Sequence, residues 1–205
     1  MKSFFKIALV GILATPGFAQ EATKPEVTEK KPPAKESKEV TVVMSTSMGD
    51  IHIELDSKNA PKTVENFLKY TDDKFYDGTI FHRIIEGFMI QGGGFSPNAD
   101  RSFKKKKTNP PVKNESAKTP DNKRGTIAMA RTSNPDSATS QFFINVVDNA
   151  GLNYPLNGGG YATFGKVTQG MDVVDKIKTV ETGVRNGVQN VPKKNVTIKS
   201  VKRAK

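Results

Sequence analysis

The chain has 205 residues, no cysteine, two histidines and a formal net charge of +11. Its length and composition fit one domain of ordinary size with appendages, and exclude a fibre or a membrane bundle. The lack of cysteine removes disulfides, thiolate nucleophiles and thiolate metal sites, and His52 and His82 alone leave little for a zinc centre or a Ser-His-Asp triad.

Residues 1–19 read as a secretory signal, with Lys2 and Lys6 ahead of the apolar stretch Ile7 to Ala14 and a small-x-small site at Gly17-Phe18-Ala19. The apolar stretch is far short of the ~20 residues that a spanning helix needs. Cleavage after Ala19, followed by release into the periplasm or the medium, is the expectation. Residues 20–39 follow, rich in Lys, Glu, Pro, Ala, Thr and Ser, with Val27 as their only large apolar residue; they read as a flexible tether. Its five lysines balance its five glutamates. Residues 40–205 then hold 25 basic against 16 acidic side chains, a balance of +9, and form the expected folded domain.

That domain opens with a strand at Val40 to Thr46, a turn at Ser47-Met48-Gly49-Asp50, and a strand in which Ile51, Ile53 and Leu55 alternate with His52 and Glu54. Pro61 suits the first turn of a helix, and Val64, Phe67 and Leu68 follow on one face. Short β-rich runs come next at Ile80 to Ile85, Phe88 to Gln91, Thr126 to Ala130, Gln141 to Val146, Ala162 to Val167 and Val196 to Val201. A second helix is predicted at Gly170 to Thr179, with Met171, Val174 and Ile177 inward. Many short strands and two separated helices point to an antiparallel barrel or sandwich with helical caps. Between Gly92 and Arg124 lies a Lys-, Asn-, Pro- and Ser-rich connection of unusual length, which includes Lys104 to Lys107. The glycine clusters 92–94 and 158–160 lack the Lys-Ser/Thr of a phosphate loop and read as tight turns.

Two segments carry the chemistry. One runs Phe81-His82-Arg83-Ile84-Ile85-Glu86-Gly87-Phe88-Met89-Ile90-Gln91-Gly92-Gly93; the other runs from Gly125-Thr126-Ile127-Ala128-Met129-Ala130-Arg131 to Ser140-Gln141-Phe142-Phe143-Ile144. In these the chain resembles the cyclophilin family. The likeness extends through Thr63-Val64-Glu65-Asn66-Phe67, Phe75-Tyr76-Asp77-Gly78 and Phe164-Gly165-Lys166-Val167, over about residues 40 to 202, with a bacterial cast at Met129-Ala130-Arg131-Thr132 and Asp148-Asn149.

The resemblance implies a mainly β fold, an eight-stranded antiparallel closed barrel capped by two α-helices, and peptidyl-prolyl cis/trans isomerase activity without cofactor or metal. It implies Arg83 as the catalytic side chain. It also implies a substrate site of Phe88, Met89, Phe143 and Leu152 around the proline ring, Gln91 on a substrate carbonyl, Ala130 and the backbone of Arg131 along the channel, Tyr161 on the far side and His82 at the rim. Without the motif, the large apolar residues among these would read as core, and Phe142, which points opposite to Phe143 on a strand, is assigned to the core. The expected partners are proline-containing unfolded or exported polypeptides, met by a monomer with no nucleic acid and no membrane span. An alternative reading is a proline-binding chaperone or scaffold whose catalysis is incidental. Gly151 stands where many members carry a Trp or Phe before the pocket leucine; weak cyclosporin binding, read by titration calorimetry, is therefore expected.

Overall fold

The computed structural model describes residues 40–98, 102–185 and 187–204. The signal and tether expected at residues 1–19 and 20–39 lie outside the described residues. Among the described residues the strands are β1 (Val40–Thr46), β2 (Gly49–Leu55), β3 (Thr79–Phe81), β4 (Arg83–Ile85), β5 (Met89–Gly92), β6 (Phe95–Pro97), β7 (Phe103–Lys105), β8 (Thr126–Met129), β9 (Phe142–Asn145), β10 (Thr163–Gln169), β11 (Thr182–Arg185), β12 (Val188–Pro192) and β13 (Val196–Arg203).

Nine of them form one sheet in the order β3-β13-β1-β2-β10-β8-β9-β5-β4. The two ends of that order, β3 and β4, are separated by His82 alone, whose backbone N–H donates to the Gln91 carbonyl at 3.0 Å. Thr79 to Ile85 is therefore one run of chain that pairs with β13 through its first half and with β5 through its second, and it joins the two edges of the sheet. Counted that way the barrel has the eight strands that the family resemblance implies. Joining the two ends in this way spares the nine-stranded sheet the long open edges that template aggregation.

The hydrophobic pattern explains the register. Ile84, Ile90, Ile144 and Ile127 pair in turn across β4, β5, β9 and β8, and all four are buried in the main core. Because side chains alternate across a strand, the neighbouring row formed by Arg83, Gln91, Phe143 and Ala128 must face the other side. Phe142 is fully buried in the core, as its parity with Ile144 requires.

The helix Pro61–Asp72 has Pro at its first turn and buries Val64, Phe67 and Tyr70. Phe67 lies at the centre of an aromatic cluster, with ring centroids 5.1 Å from Tyr76, 5.1 Å from Phe164 and 5.8 Å from Phe142. The residue before the helix, Ala60, offers no side-chain cap. Glu115, 52 positions beyond Thr63 in the chain, supplies one: its Oε2 accepts from the Thr63 N–H at 2.9 Å and from the Thr63 hydroxyl at 2.7 Å. A carboxylate there meets both the free N–H groups and the positive end of the helix dipole.

The helix Met171–Lys178 buries Val173, Val174 and Ile177, while Met171 is only partly buried. It packs on the β1–β2 turn so closely that a Cβ on Gly49, whose φ is +132°, would lie 2.7 Å from Val173. Two short hairpins lie in stretches without a strand prediction: β6–β7 within the long 92–124 connection, and β11–β12 after the second helix. The rest of that long connection is fastened by a Ser116–Lys118 turn and a bridge from Val112 to Ala138.

Candidate functional site

The outward row of the barrel builds a cleft of about 240 Å³. Arg83, Phe88, Met89, Gln91, Ala130, Arg131, Phe143, Leu152 and Tyr161 all line it, together with Asn157. Met89, Ala128, Phe143 and Leu152 form an apolar cluster separate from the barrel core, against which Phe88, Ala130 and Tyr161 pack. The site is thus a second, shallower hydrophobic centre on the outer face of the barrel wall, and the row of isoleucines behind it keeps that wall rigid. Phe143 and Tyr161 meet edge-on at 5.8 Å.

The polar side of the cleft is a chain of amides. Arg83 Nη1 donates to Gln91 Oε1 at 3.4 Å, and Gln91 Nε2 donates to Gln141 Oε1 at 3.0 Å. Arg83 is half-buried, and among the described residues it has no carboxylate partner. One long 3.4 Å contact leaves most of its five N–H donors free to meet a ligand.

Arg131 is used differently. Its guanidinium donates to the carbonyls of Gly160 at 2.8 Å, Asn157 at 2.8 Å and Thr132 at 2.9 Å, and lies 4.3 Å from the Tyr161 ring centre. It clamps the turn at Leu156–Gly159, whose Asn157 and Gly158 adopt left-handed backbone, to the end of β8. Its side chain is therefore committed to the wall of the cleft.

His82 is the candidate that the structure does not bring into the cleft. It is 7% exposed, stacks edge-on against Phe95 at 4.7 Å, and its Nδ1 has no hydrogen-bond partner. Burial, and then the charge of Arg83, hold its pKa down to about 4, against the pull of a hydrogen bond to the Ile80 backbone. It is a neutral ring that fills space behind the site.

Sequence reasoning missed the buried carboxamides beneath the pocket. Asn122 Nδ2 donates to the carbonyls of both Leu152 and Tyr161, at 3.2 and 3.1 Å, while its Oδ1 accepts from Asn145 at 3.2 Å. Asn145 Oδ1 accepts from Asn149, which also donates to the Phe88 carbonyl at 2.9 Å. Three pocket residues are thus held by their main chain to one relay rooted in β9. The signal was present, since Asn145 interrupts the apolar run Phe142 to Val147 and an unpaired polar group cannot be buried there cheaply. Asn157 was missed as well. Gly151 is exposed, and a Cβ on it would meet nothing within 4 Å, so the space beside Leu152 is open.

Residues 41–203 match the family model described as cyclophilin type peptidyl-prolyl cis-trans isomerase/CLD. The chain is 55% identical over 161 residues to peptidyl-prolyl cis-trans isomerase A of Dickeya dadantii, covering 78% of this chain and 83% of the relative. It is also 55% identical over 163 residues to peptidyl-prolyl cis-trans isomerase B of Escherichia coli, covering 78% and 97%. A crystal structure of a Cryptosporidium parvum cyclophilin type peptidyl-prolyl cis-trans isomerase superposes with a TM-score of 0.65 at 25% identity, covering 82% of this chain and 98% of that one. A second structure of that protein, determined in the presence of the dipeptide Ala-Pro, gives 0.62 at 26% identity, covering 78% and 96%.

Proposed function

The chain belongs to the cyclophilin-type peptidyl-prolyl cis-trans isomerases, and from that premise we propose that Arg83 drives the isomerisation while the apolar cluster beside it holds the substrate proline. The single observation that carries this reading is a guanidinium without a carboxylate partner among the described residues, on the same cleft as Phe88, Met89, Phe143 and Leu152. An Xaa-Pro bond resists rotation by ~18–20 kcal/mol because the nitrogen lone pair is shared with the carbonyl. Twisting the bond returns that lone pair to nitrogen and makes it a hydrogen-bond acceptor. Arg83, charged at any working pH and rigid in its fork of donors, then interacts more strongly with the twisted amide than with either planar form, which is the condition for catalysis.

Gln91 accepts from Arg83 and donates to Gln141, so the guanidinium is oriented before the substrate arrives. A phenyl ring, a thioether and a leucine edge suit the pyrrolidine ring of proline. That a related protein was crystallised with Ala-Pro supports a proline-containing ligand for this site. The proposed substrates are Xaa-Pro bonds in unfolded polypeptides. Export, with clients among exported proteins, is supported by the charged and apolar pattern of residues 1–19. A protease-coupled assay on an Xaa-Pro peptide tests the activity: an isomerase shortens the slow phase in proportion to its concentration, and a pure proline binder leaves it unchanged.

A further inference from the structure

The cleft is lined by Arg83 and Arg131 and by no carboxylate. By contrast, a larger hollow beside β2, of about 340 Å³, mixes Glu54 and Asp56 with Lys58 and Lys166. The lysine run begins in β7, which pairs with β6. Lys106 fastens this segment: its ammonium donates to the Phe75 carbonyl and lies 4.5 Å from the Phe75 ring centre, and its backbone N–H donates to the Gly94 carbonyl at 3.1 Å. Gly94 in turn is pressed on Gln141, where a Cβ would come within 2.5 Å of the side chain. Gln141 bonds Gln91 inside the cleft. A path of contacts through Gly94 and Gln141 therefore joins the lysine run to the polar wall of the site.

Lys104, Lys105 and Lys107 are exposed, and among the described residues none has a carboxylate within ion-pair distance. Like charges held in a fixed strand repel one another, yet this strand is pinned. Phe103 packs 6.1 Å from Phe95, which stacks on His82, and Arg185 sits 5.2 Å over the Phe103 ring. The screening length is ~10 Å at 0.1 M salt, the range over which exposed charges act on a nearby ligand. Phe103, covered on both counts, is not offered for stacking on bases, which argues against a single-stranded nucleic acid.

We propose that the site selects prolines embedded in acidic stretches, and that Lys104, Lys105 and Lys107 are the rim that attracts them; this rests on the isomerase reading above. The test compares two peptides with the same Ala-Ala-Pro-Phe centre, one flanked by glutamates and one by glutamines, with exchange rates measured by NMR so that no protease is involved. The wild type is expected to turn over the glutamate peptide with a kcat/KM about tenfold higher at low salt, the lower end of the gain that focused fields give. The advantage should vanish at 1 M salt, where screening reaches ~3 Å. K104S/K105S/K107S should lose the advantage and keep its rate on the glutamine peptide. A control with three exposed lysines elsewhere replaced, K62S/K199S/K202S, should keep the advantage. Equal rates for the two peptides in the wild type would overturn the proposal. So would an advantage lost equally in the control, which would assign it to net charge. So would retention of a duplex oligonucleotide without any peptide preference. Failure to turn over either peptide would instead defeat the isomerase reading itself.

Discussion

Asn122 shows how a buried residue outside the lining of the cleft can shape it. One carboxamide holds the carbonyls of Leu152 and Tyr161, on two sides of the cleft, and passes its own oxygen to Asn145. Truncation leaves buried acceptors unpaired, at about 1–3 kcal/mol each. Asn122→Ala is therefore expected to lower unfolding stability by about 2–3 kcal/mol and to raise KM for a proline peptide roughly tenfold, with a smaller fall in kcat. Steady-state kinetics and denaturant unfolding read both, and an unchanged KM would contradict the positioning role. His82 makes a prediction of a different kind. Its folded pKa of about 4 lies below the ordinary value of 6.5, so between these values the unfolded chain takes up a proton that the folded one refuses. The stability this neutral ring contributes is complete above pH 6.5 and is lost as pH falls towards 4, at about 1.4 kcal/mol per unit. His82→Gln should be free of that loss, and the stability gap between wild type and variant should shift by about 2–3 kcal/mol between pH 7 and 4.5. Parallel profiles would show that His82 titrates normally.

At the scale of elements, the long connection from 92 to 124 is the part whose sequence said least. Its Lys, Asn and Pro content hides strands of three residues, β6 and β7, that are held by the Phe95–Phe103 contact rather than by local propensity. The β11–β12 hairpin escaped for a related reason, since its exposed Val184 and Val188 give no alternating buried face. The connection is nevertheless firmly held, because Glu115 caps the first helix while Asn114 and Ser116 bond the carbonyl of Gly159. The same few residues thus join a helix N-terminus to the turn that forms the far wall of the cleft. Glu115→Ala should cost about 1–2 kcal/mol of stability, the value of a lost helix cap, as read by chemical denaturation. A change within about 0.5 kcal/mol, typical of a neutral surface substitution, would mean that the cap is dispensable.

The whole molecule divides its labour between two faces of one barrel wall. Period-two patterning made the barrel strands legible, because strand parity decides which side each residue faces, whereas the residues that line the cleft were named by the family resemblance and not by any pattern. What the chain alone did not disclose depends on distant segments meeting: the carboxamide relay joins residues 122, 145 and 149, and the break at His82 turns one predicted strand into the two ends of the sheet. The proposed mechanism turns on one group, a guanidinium that lines the same cleft as an apolar cluster. The direct test is the kcat/KM of Arg83→Ala against wild type on one Xaa-Pro peptide, with the affinity of each for that peptide measured alongside. Loss of a preorganised donor of ~3–4 kcal/mol should lower kcat/KM by about 10²–10³ and leave peptide affinity and unfolding stability nearly unchanged. A folded Arg83→Ala protein that isomerises the peptide at close to the wild-type rate would contradict the account.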